Sequence, residues 1–200
     1  MKKALLSILG FSILAIGIQI TLTSSSNGRA FSANSGNTGA PGETTTCRTC
    51  HGAGFNTTVS IVIKDTLGNP MSSYVPGSVY TAEFTVNAVG ASRYGFQLVT
   101  LNGSNTPVNG FSSPATNTRL VTLGNGRQYA EHAGKSVTNT FSTVWTAPAI
   151  GTGTITFFGG GAAVNNNGNT SGDGGNTTTL SLTESISVGL TESKLEDKIM

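Results

Sequence analysis

The chain has 200 residues, enough for one domain of ordinary size or for one domain with tails. Charged residues make up 10% of it and the formal net charge is +2, which excludes the basic patch of a nucleic-acid-binding protein. Twenty-seven glycines, among many threonines, serines and asparagines, favour short strands and polar turns over helices.

The first segment, residues 1–30, has the pattern of an export signal. Lys2 and Lys3 precede an apolar run over residues 4–20, and Gly28 and Ala30 fit the small-x-small rule for a cleavage site. The run is interrupted by Ser, Gly and Gln, so the alternative of an uncleaved membrane anchor is marginal. We predict a cleaved signal peptide and an exported protein without a membrane span, located in the periplasm, on the outer surface or outside the cell. Cleavage leaves eight basic against nine acidic residues, a net charge of −1.

The rest of the chain reads as an arm, a β domain and a tail. Residues 31–56 have no hydrophobic period and are predicted to form an extended arm, and the more charged residues 189–200 a linker or tail. Between them, segments with apolar residues at every second position alternate with Gly-, Pro- and Asn-rich turns. This pattern predicts an all-β fold, an antiparallel Greek-key β-sandwich of about seven to eight strands over residues 57–188. We expect one face of each sheet to be packed and the other wet.

The predicted strands are residues 57–65, 79–89, 93–101, 118–123, 138–147, 153–160 and 177–188. The predicted core residues are Ile61, Ile63, Phe84, Val86, Phe96, Leu98, Phe141, Trp145, Ile155 and Phe157. Trp145 is therefore interpreted as a core aromatic rather than as a residue that stacks on a cofactor.

The stretch CRTCH contains the only two cysteines of the chain, Cys47 and Cys50, followed by His51. This spacing is typical of c-type haem attachment, in which each thiol forms a thioether with a haem vinyl group and the adjacent histidine is the proximal iron ligand. A disulfide between the two cysteines is the main alternative, although it would close a loop too short to stabilise much. A zinc site would need four ligands, and His132 is the only other histidine. We predict one covalently bound haem c.

The iron needs a sixth ligand opposite His51 or an open position, and Met and His are the usual candidates. Met71 follows a proline at a turn, and His132 lies at the end of a short predicted strand. On spacing alone, His132 is equally well interpreted as a ligand or as an exposed loop histidine. Two histidine ligands suit low-spin electron transfer, whereas an open site would permit peroxidase or sensor chemistry. No catalytic residue is predicted.

The segment 159–176 is rich in Asn and contains one carboxylate, Asp173. Oxygen side chains of this kind suit calcium, but the segment has no bidentate Glu at the required distance. We expect a flexible connector.

Several segments together resemble the Reeler (reelin N-terminal-like, or choice-of-anchor) β-sandwich domains of secreted bacterial proteins. The segments are, in order, SGNTGAPGETTTCRTCHGAG, YTAEFTVNA, YGFQLVTL, YAEHAG and FSTVWTAPAIGTGTITFFGGGAAVNNNG, and the resemblance spans residues 35–188. It implies that Cys47 and Cys50 are the thioether donors and that His51 and His132 are the axial pair. The segment LTESKLEDKIM resembles the approach to a type IX secretion sorting domain.

The sequence therefore predicts an exported monohaem c-type cytochrome domain that acts in extracytoplasmic electron transfer. Its expected partners are redox proteins, neighbouring cytochromes or further copies of itself. A surface adhesion or carbohydrate-binding sandwich with a structural Cys47–Cys50 disulfide is an alternative from a different class. An open-site haem sensor or peroxidase is the third.

Overall fold

The computed structural model describes residues 26–52 and 54–185. Two short helices come first, α1 (Arg29–Ala33) and α2 (Cys47–Cys50). The strands are β1 (Thr58–Lys64), β2 (Ser73–Tyr74), β3 (Val79–Asn87), β4 (Arg93–Asn102), β5 (Phe111–Ser112), β6 (Thr118–Thr122), β7 (Gln128–His132), β8 (Thr140–Thr146), β9 (Ile155–Val164) and β10 (Gly174–Glu184).

The strands form two sheets, one with the order β1-β3-β8-β5 and one with the order β2-β10-β9-β4-β7-β6. Pairing is antiparallel throughout, except that β2 runs parallel to β10. The predicted all-β sandwich is confirmed. Two of the observed strands, β2 and β5, were not predicted, because two residues are too few to show an alternating pattern. The strand β7 was predicted only as the short strand that ends at His132.

The two sheets enclose the main hydrophobic core. All ten predicted core residues are buried in it. Trp145 is fully buried, with its ring centroid 5.8 Å from that of Tyr74 and 4.9 Å from that of Phe157. Its Nε1–H donates a hydrogen bond of 3.0 Å to the carbonyl of Asn109, which satisfies the one polar atom of the ring. The interpretation of Trp145 as a core aromatic is confirmed.

The prediction of one packed and one wet face is wrong for β4. Phe96 and Leu98 face the main core, but Gln97, Val99 and Leu101 on the other face are buried as well. A second cluster covers this outer face: Ala30, Ala40, Val99, Leu101, Leu123 and Tyr129. Two of its members, Ala30 and Ala40, come from residues 26–52 and 54–56, which lie across the outside of the six-stranded sheet. These residues include most of the predicted arm, and from here on they are called the arm.

The arm is therefore a folded cover, not the extended lead-in that the sequence predicts. It contains α1 and α2, and an isolated bridge pairs Thr38 with Thr46. Glu43 fixes its turn by accepting the backbone N–H groups of Thr38 at 2.6 Å and Gly39 at 2.8 Å. Tyr129 of β7 also donates to Glu43, at 2.9 Å, and burial together with this carboxylate raises the pKa of the tyrosine.

The apolar run of the predicted signal peptide and the tail that resembles a sorting-domain approach lie outside the described residues. The predicted cleavage position lies inside them, since α1 spans Ala30 and Phe31. In the described ranges, no helix has the length and apolarity needed to cross a membrane.

Candidate functional site

The CxxCH motif lies on α2 and the residue that ends it. Thr46 and Thr49 form a reciprocal capping box, in which the backbone N–H of Thr46 donates to Oγ1 of Thr49 at 2.9 Å. The backbone N–H of His51 closes the turn by donating to the carbonyl of Cys47 at 3.0 Å. Residues three apart on a helical turn lie on the same face, so the turn presents both cysteines together.

Gly160 in β9 has no side chain, and this allows α2 to lie against the six-stranded sheet. A Cβ at Gly160 would lie 3.0 Å from Sγ of Cys47 and 2.5 Å from the carbonyl oxygen of Asn37. That carbonyl accepts the N–H of Cys47 at 3.1 Å, and the N–H of Asn37 donates to Oε1 of Gln97 in β4. Glycine at position 160 is thus required by the close approach of the arm.

A buried carboxylate fixes the His51 ring. Nδ1 of His51 lies 2.9 Å from Oδ2 of Asp173, a residue that is 1% exposed. The other oxygen, Oδ1, accepts the N–H of Asn165 at 3.0 Å, so the carboxylate itself is held in place. A histidine that donates its Nδ1–H to a carboxylate keeps Nε2 as the ligating nitrogen, with its basicity raised.

Asp173 lies in a context that the sequence did not predict. The sequence favoured a flexible connector over a calcium loop, whereas the structure pairs the carboxylate with a histidine 122 positions away. The connector between β9 and β10 is held by successive side-chain-to-backbone turns, in which Asn165, Asn167 and Asn169 each accept the N–H two residues on. The only available signal was that Asp173 is the single carboxylate of this segment.

His132 is the last residue of β7, as the sequence predicted, and its ring replaces a backbone partner for Phe96 of β4. Nδ1 lies 3.0 Å from the carbonyl oxygen of Phe96 and 3.2 Å from its backbone nitrogen, and the N–H of Gly28 donates to Nε2 at 3.1 Å. A backbone N–H is therefore directed at each ring nitrogen, and these contacts do not assign the tautomer of His132. In both histidines Nδ1 lies within hydrogen-bond distance of an oxygen atom, from Asp173 for His51 and from Phe96 for His132.

The four predicted site residues line one cavity of about 60 Å³: Cys47, Cys50, His51 and His132. Both histidines also line an adjoining cavity of about 180 Å³, together with the cations Arg93 and Lys135. Gly95 of β4 and Ala162 of β9, which pair in register, line both cavities as well. A Cβ at Gly95 would lie 2.9 Å from Cε1 of His132, so the ring needs glycine there.

The surroundings of Cys47 argue against a redox-active pair of thiols. Cys47 and Cys50 are both thiols in the structure. Desolvation, with the negative charge of Glu43, raises the pKa of Cys47 to about 12, so its thiolate is scarce at neutral pH. A redox dithiol works through a stabilised thiolate, and the surroundings of Cys47 have the opposite effect.

The described side chains do not form a metal site on their own. Over residues 26–52 and 54–185, no three His, Cys, Asp or Glu side chains are grouped as an ion would require. A haem iron takes four ligands from its own macrocycle and asks the protein for two at most. Met71, the other candidate for the sixth ligand, packs against the main core and lines neither cavity.

No protein-family model matches the chain, and no curated protein matches it. Among solved structures, it is similar to the reeler domain of human F-spondin in two crystal structures, one with a TM-score of 0.45, 16% identity and coverage of 64% of this chain and 92% of that one. The other has a TM-score of 0.42, 15% identity and coverage of 65% and 91%. The Reelin-N domain of F-spondin gives a TM-score of 0.44 and 18% identity, and covers 64% of this chain and 86% of that one. At these TM-scores and identities, the similarities carry no information about ligands, partners or activity.

Proposed function

We propose that the chain is an exported monohaem c-type cytochrome domain that carries electrons outside the cytoplasm. The observation that carries the proposal is the shared cavity: the two cysteines and His51 of the arm line it together with His132 of the sheet. Haem c, when bound, supplies reversible one-electron chemistry at its iron. The protein's part is to attach the group, ligate the iron and exclude competing ligands.

The donor set fits the group. Two thiols on one helical turn would suit the two vinyl groups. Two imidazoles would suit the iron, and a carboxylate supports Nδ1 of His51. Haem also carries two propionates. Arg93 and Lys135 line the larger cavity, and neither has an Asp or Glu oxygen within 4.0 Å among the described residues. We assign these two cations to the propionates.

His51 is the proximal ligand in this proposal, and Asp173 positions it. His132 is the sixth ligand, which requires that the N–H of Gly28 leave Nε2. Gly28 lies on the leader side of the predicted cleavage position, so processing of the signal peptide would remove this competitor.

The first experiment is production of the exported protein together with a haem c maturation system. A pyridine haemochrome spectrum typical of two thioether bonds, lost in the double variant Cys47→Ser/Cys50→Ser, is the expected result. A colourless protein with an intact Cys47–Cys50 disulfide would overturn the proposal and favour the adhesion or carbohydrate-binding alternative.

The second experiment identifies the sixth ligand. His132→Ala is expected to convert a low-spin ferrous spectrum into a high-spin one that binds carbon monoxide, while the thioether bonds remain. Met71→Leu is the matched control, because it removes the other candidate ligand and should leave the spectrum unchanged. A low-spin spectrum that survives His132→Ala contradicts bis-histidine ligation, and a wild-type protein that already binds carbon monoxide favours the open-site sensor or peroxidase.

A further inference from the structure

Glu131 of β7 is a buried carboxylate that the candidate haem site does not use. The residue is 0% exposed. Its oxygens accept the backbone N–H groups of Ala30 and Phe31, both at 2.8 Å, and Nε2–H of Gln97 at 3.1 Å. In the described part of the chain, no Lys or Arg nitrogen lies within 4.0 Å of it. A fully buried carboxylate is costly unless a positive charge or enough hydrogen bonds offset its desolvation.

The neighbouring arginines point elsewhere. Arg119 of β6 pairs in register with Glu131, but its guanidinium carbon lies over the Phe31 ring, 4.3 Å from the centroid. Arg29 precedes the two N–H donors, and Nε of both arginines is buried without a hydrogen-bond partner among the described residues. Glu131 is therefore held by the backbone of Ala30 and Phe31 and by Gln97, and not by a neighbouring arginine.

Phe31 is the first residue after the cleavage position that the small-x-small pattern predicts. We propose that hydrolysis of the Ala30–Phe31 peptide bond creates an α-ammonium on Phe31 that Glu131 binds as an internal ion pair. The hydrolysis consumes one water, is catalysed by the signal peptidase of the exporting cell, and leaves a carboxylate on Ala30 of the released leader. Cleavage precedes folding in this scheme, so the peptidase does not need access to the buried site.

The geometry requires almost no movement of the new terminus. The nitrogen of Phe31 is already 2.8 Å from Oε1 of Glu131. An ammonium has three protons, so it can also satisfy Oε2, which loses the N–H of Ala30 when the leader departs. The ring of Phe31 remains under the Arg119 guanidinium and fixes the direction of the terminus. The ion pair does not depend on haem and would form equally in a colourless protein.

The first part of the test uses the wild-type exported protein. Mass spectrometry of the secreted wild-type protein is expected to give Phe31 as the first residue; a start at any other residue overturns the proposal. The α-amino pKa, followed by NMR on protein labelled at phenylalanine, is expected at least one unit above its ordinary value of about 7.7–8.0. The titratable groups that surround the carboxylate and need to be followed in the same titration are Arg119 of β6, His132 of β7 and Cys47 of α2.

Chemical acetylation of the α-amino group tests the same contact through stability. Acetylation is expected to lower the Tm of the wild-type protein and to have little effect in the Glu131→Gln variant. Glu43→Gln is the matched control, because Glu43 also accepts arm N–H groups but does not touch Phe31, and it should keep the full effect of acetylation. An equal effect of acetylation in all three proteins, or an ordinary α-amino pKa in the wild type, refutes the ion pair. If Glu131→Gln does not fold, the α-amino pKa of the wild type decides.

Discussion

Replacing Gly160 by alanine should loosen the arm from the sheet. The new Cβ would lie 2.5 Å from the carbonyl oxygen of Asn37, whereas carbon and oxygen normally approach no closer than about 3.3 Å. The arm must therefore retreat by roughly 0.5–1 Å, since a β9 strand paired on both sides cannot.

That displacement lowers the free energy of unfolding, because it disturbs the hydrogen bonds of Asn37. Its carbonyl accepts the N–H of Cys47 at 3.1 Å and its N–H donates to Gln97 at 2.5 Å. Losing one or both bonds costs about 1 kcal/mol each, and the overpacking adds about 1–3 kcal/mol. We expect a total of about 2–5 kcal/mol, which for a protein of this size lowers Tm by roughly 4–20 °C.

The measurement is thermal and urea unfolding of the haem-free protein, followed by circular dichroism. Gly124→Ala is the control, because no atom lies within 4 Å of a Cβ at that position and its backbone suits alanine. If Gly160→Ala melts within about 1 °C of Gly124→Ala, the arm is not seated against β9 as described.

Three further predictions follow from single contacts. If haem is ligated as proposed, Asp173→Asn removes the carboxylate that supports His51. A loss of affinity of about 10–100-fold for the ferric iron would raise the haem potential by about 60–120 mV in a redox titration, and an unchanged potential would contradict the positioning role. In the haem-free protein, burial raises the pKa of the Cys47 thiol from 9.0 to about 12. The buried neutral thiol therefore stabilises the fold fully below pH 9, and this stabilisation is lost between pH 9 and 12. Urea titrations should show the free energy of unfolding falling by at most about 1.4 kcal/mol per pH unit over this range, and Cys47→Ser should abolish the fall. Trp145→Ala should cost about 3–5 kcal/mol, whereas Val89→Ala, at a side chain that is 98% exposed, should stay within about 0.5 kcal/mol.

Strands with one packed face were predictable from the sequence, because apolar and polar residues alternate along them. In β3, Phe84 and Val86 alternate with polar residues, and the observed burial alternates in the same way. In β4 the alternation was misleading, since Gln97 is buried beneath the arm. The arm has no hydrophobic period of its own, so nothing in local sequence shows that it covers a sheet.

The same distinction applies to the candidate site: residues close together in the sequence were predictable, and residues brought together only by the fold were not. Cys47, Cys50 and His51 lie within five residues, so the sequence alone suggested that they act together, and a family resemblance pointed to His132. Asp173 was assigned a different role, because its partner is 122 residues away and only the fold brings the two together. Contacts between arm and sheet of this kind follow from tertiary packing, which no local pattern encodes.

If haem is bound as proposed, its spectrum would also show whether the arm contacts the sheet. His51 belongs to the arm, whereas His132 belongs to the sheet, so ligation of one iron by both would require the arm to lie against the sheet. Gly160→Ala disturbs that seat directly, and the low-spin fraction of the folded protein should fall with it. Trp145 lies in the main core, on the opposite side of the six-stranded sheet from the arm. Trp145→Ala should therefore lower stability by a similar or larger amount while the folded protein keeps its low-spin spectrum. A loss of low-spin haem that tracks overall stability in both variants would show that ligation depends on folding in general and not on the contact between arm and sheet.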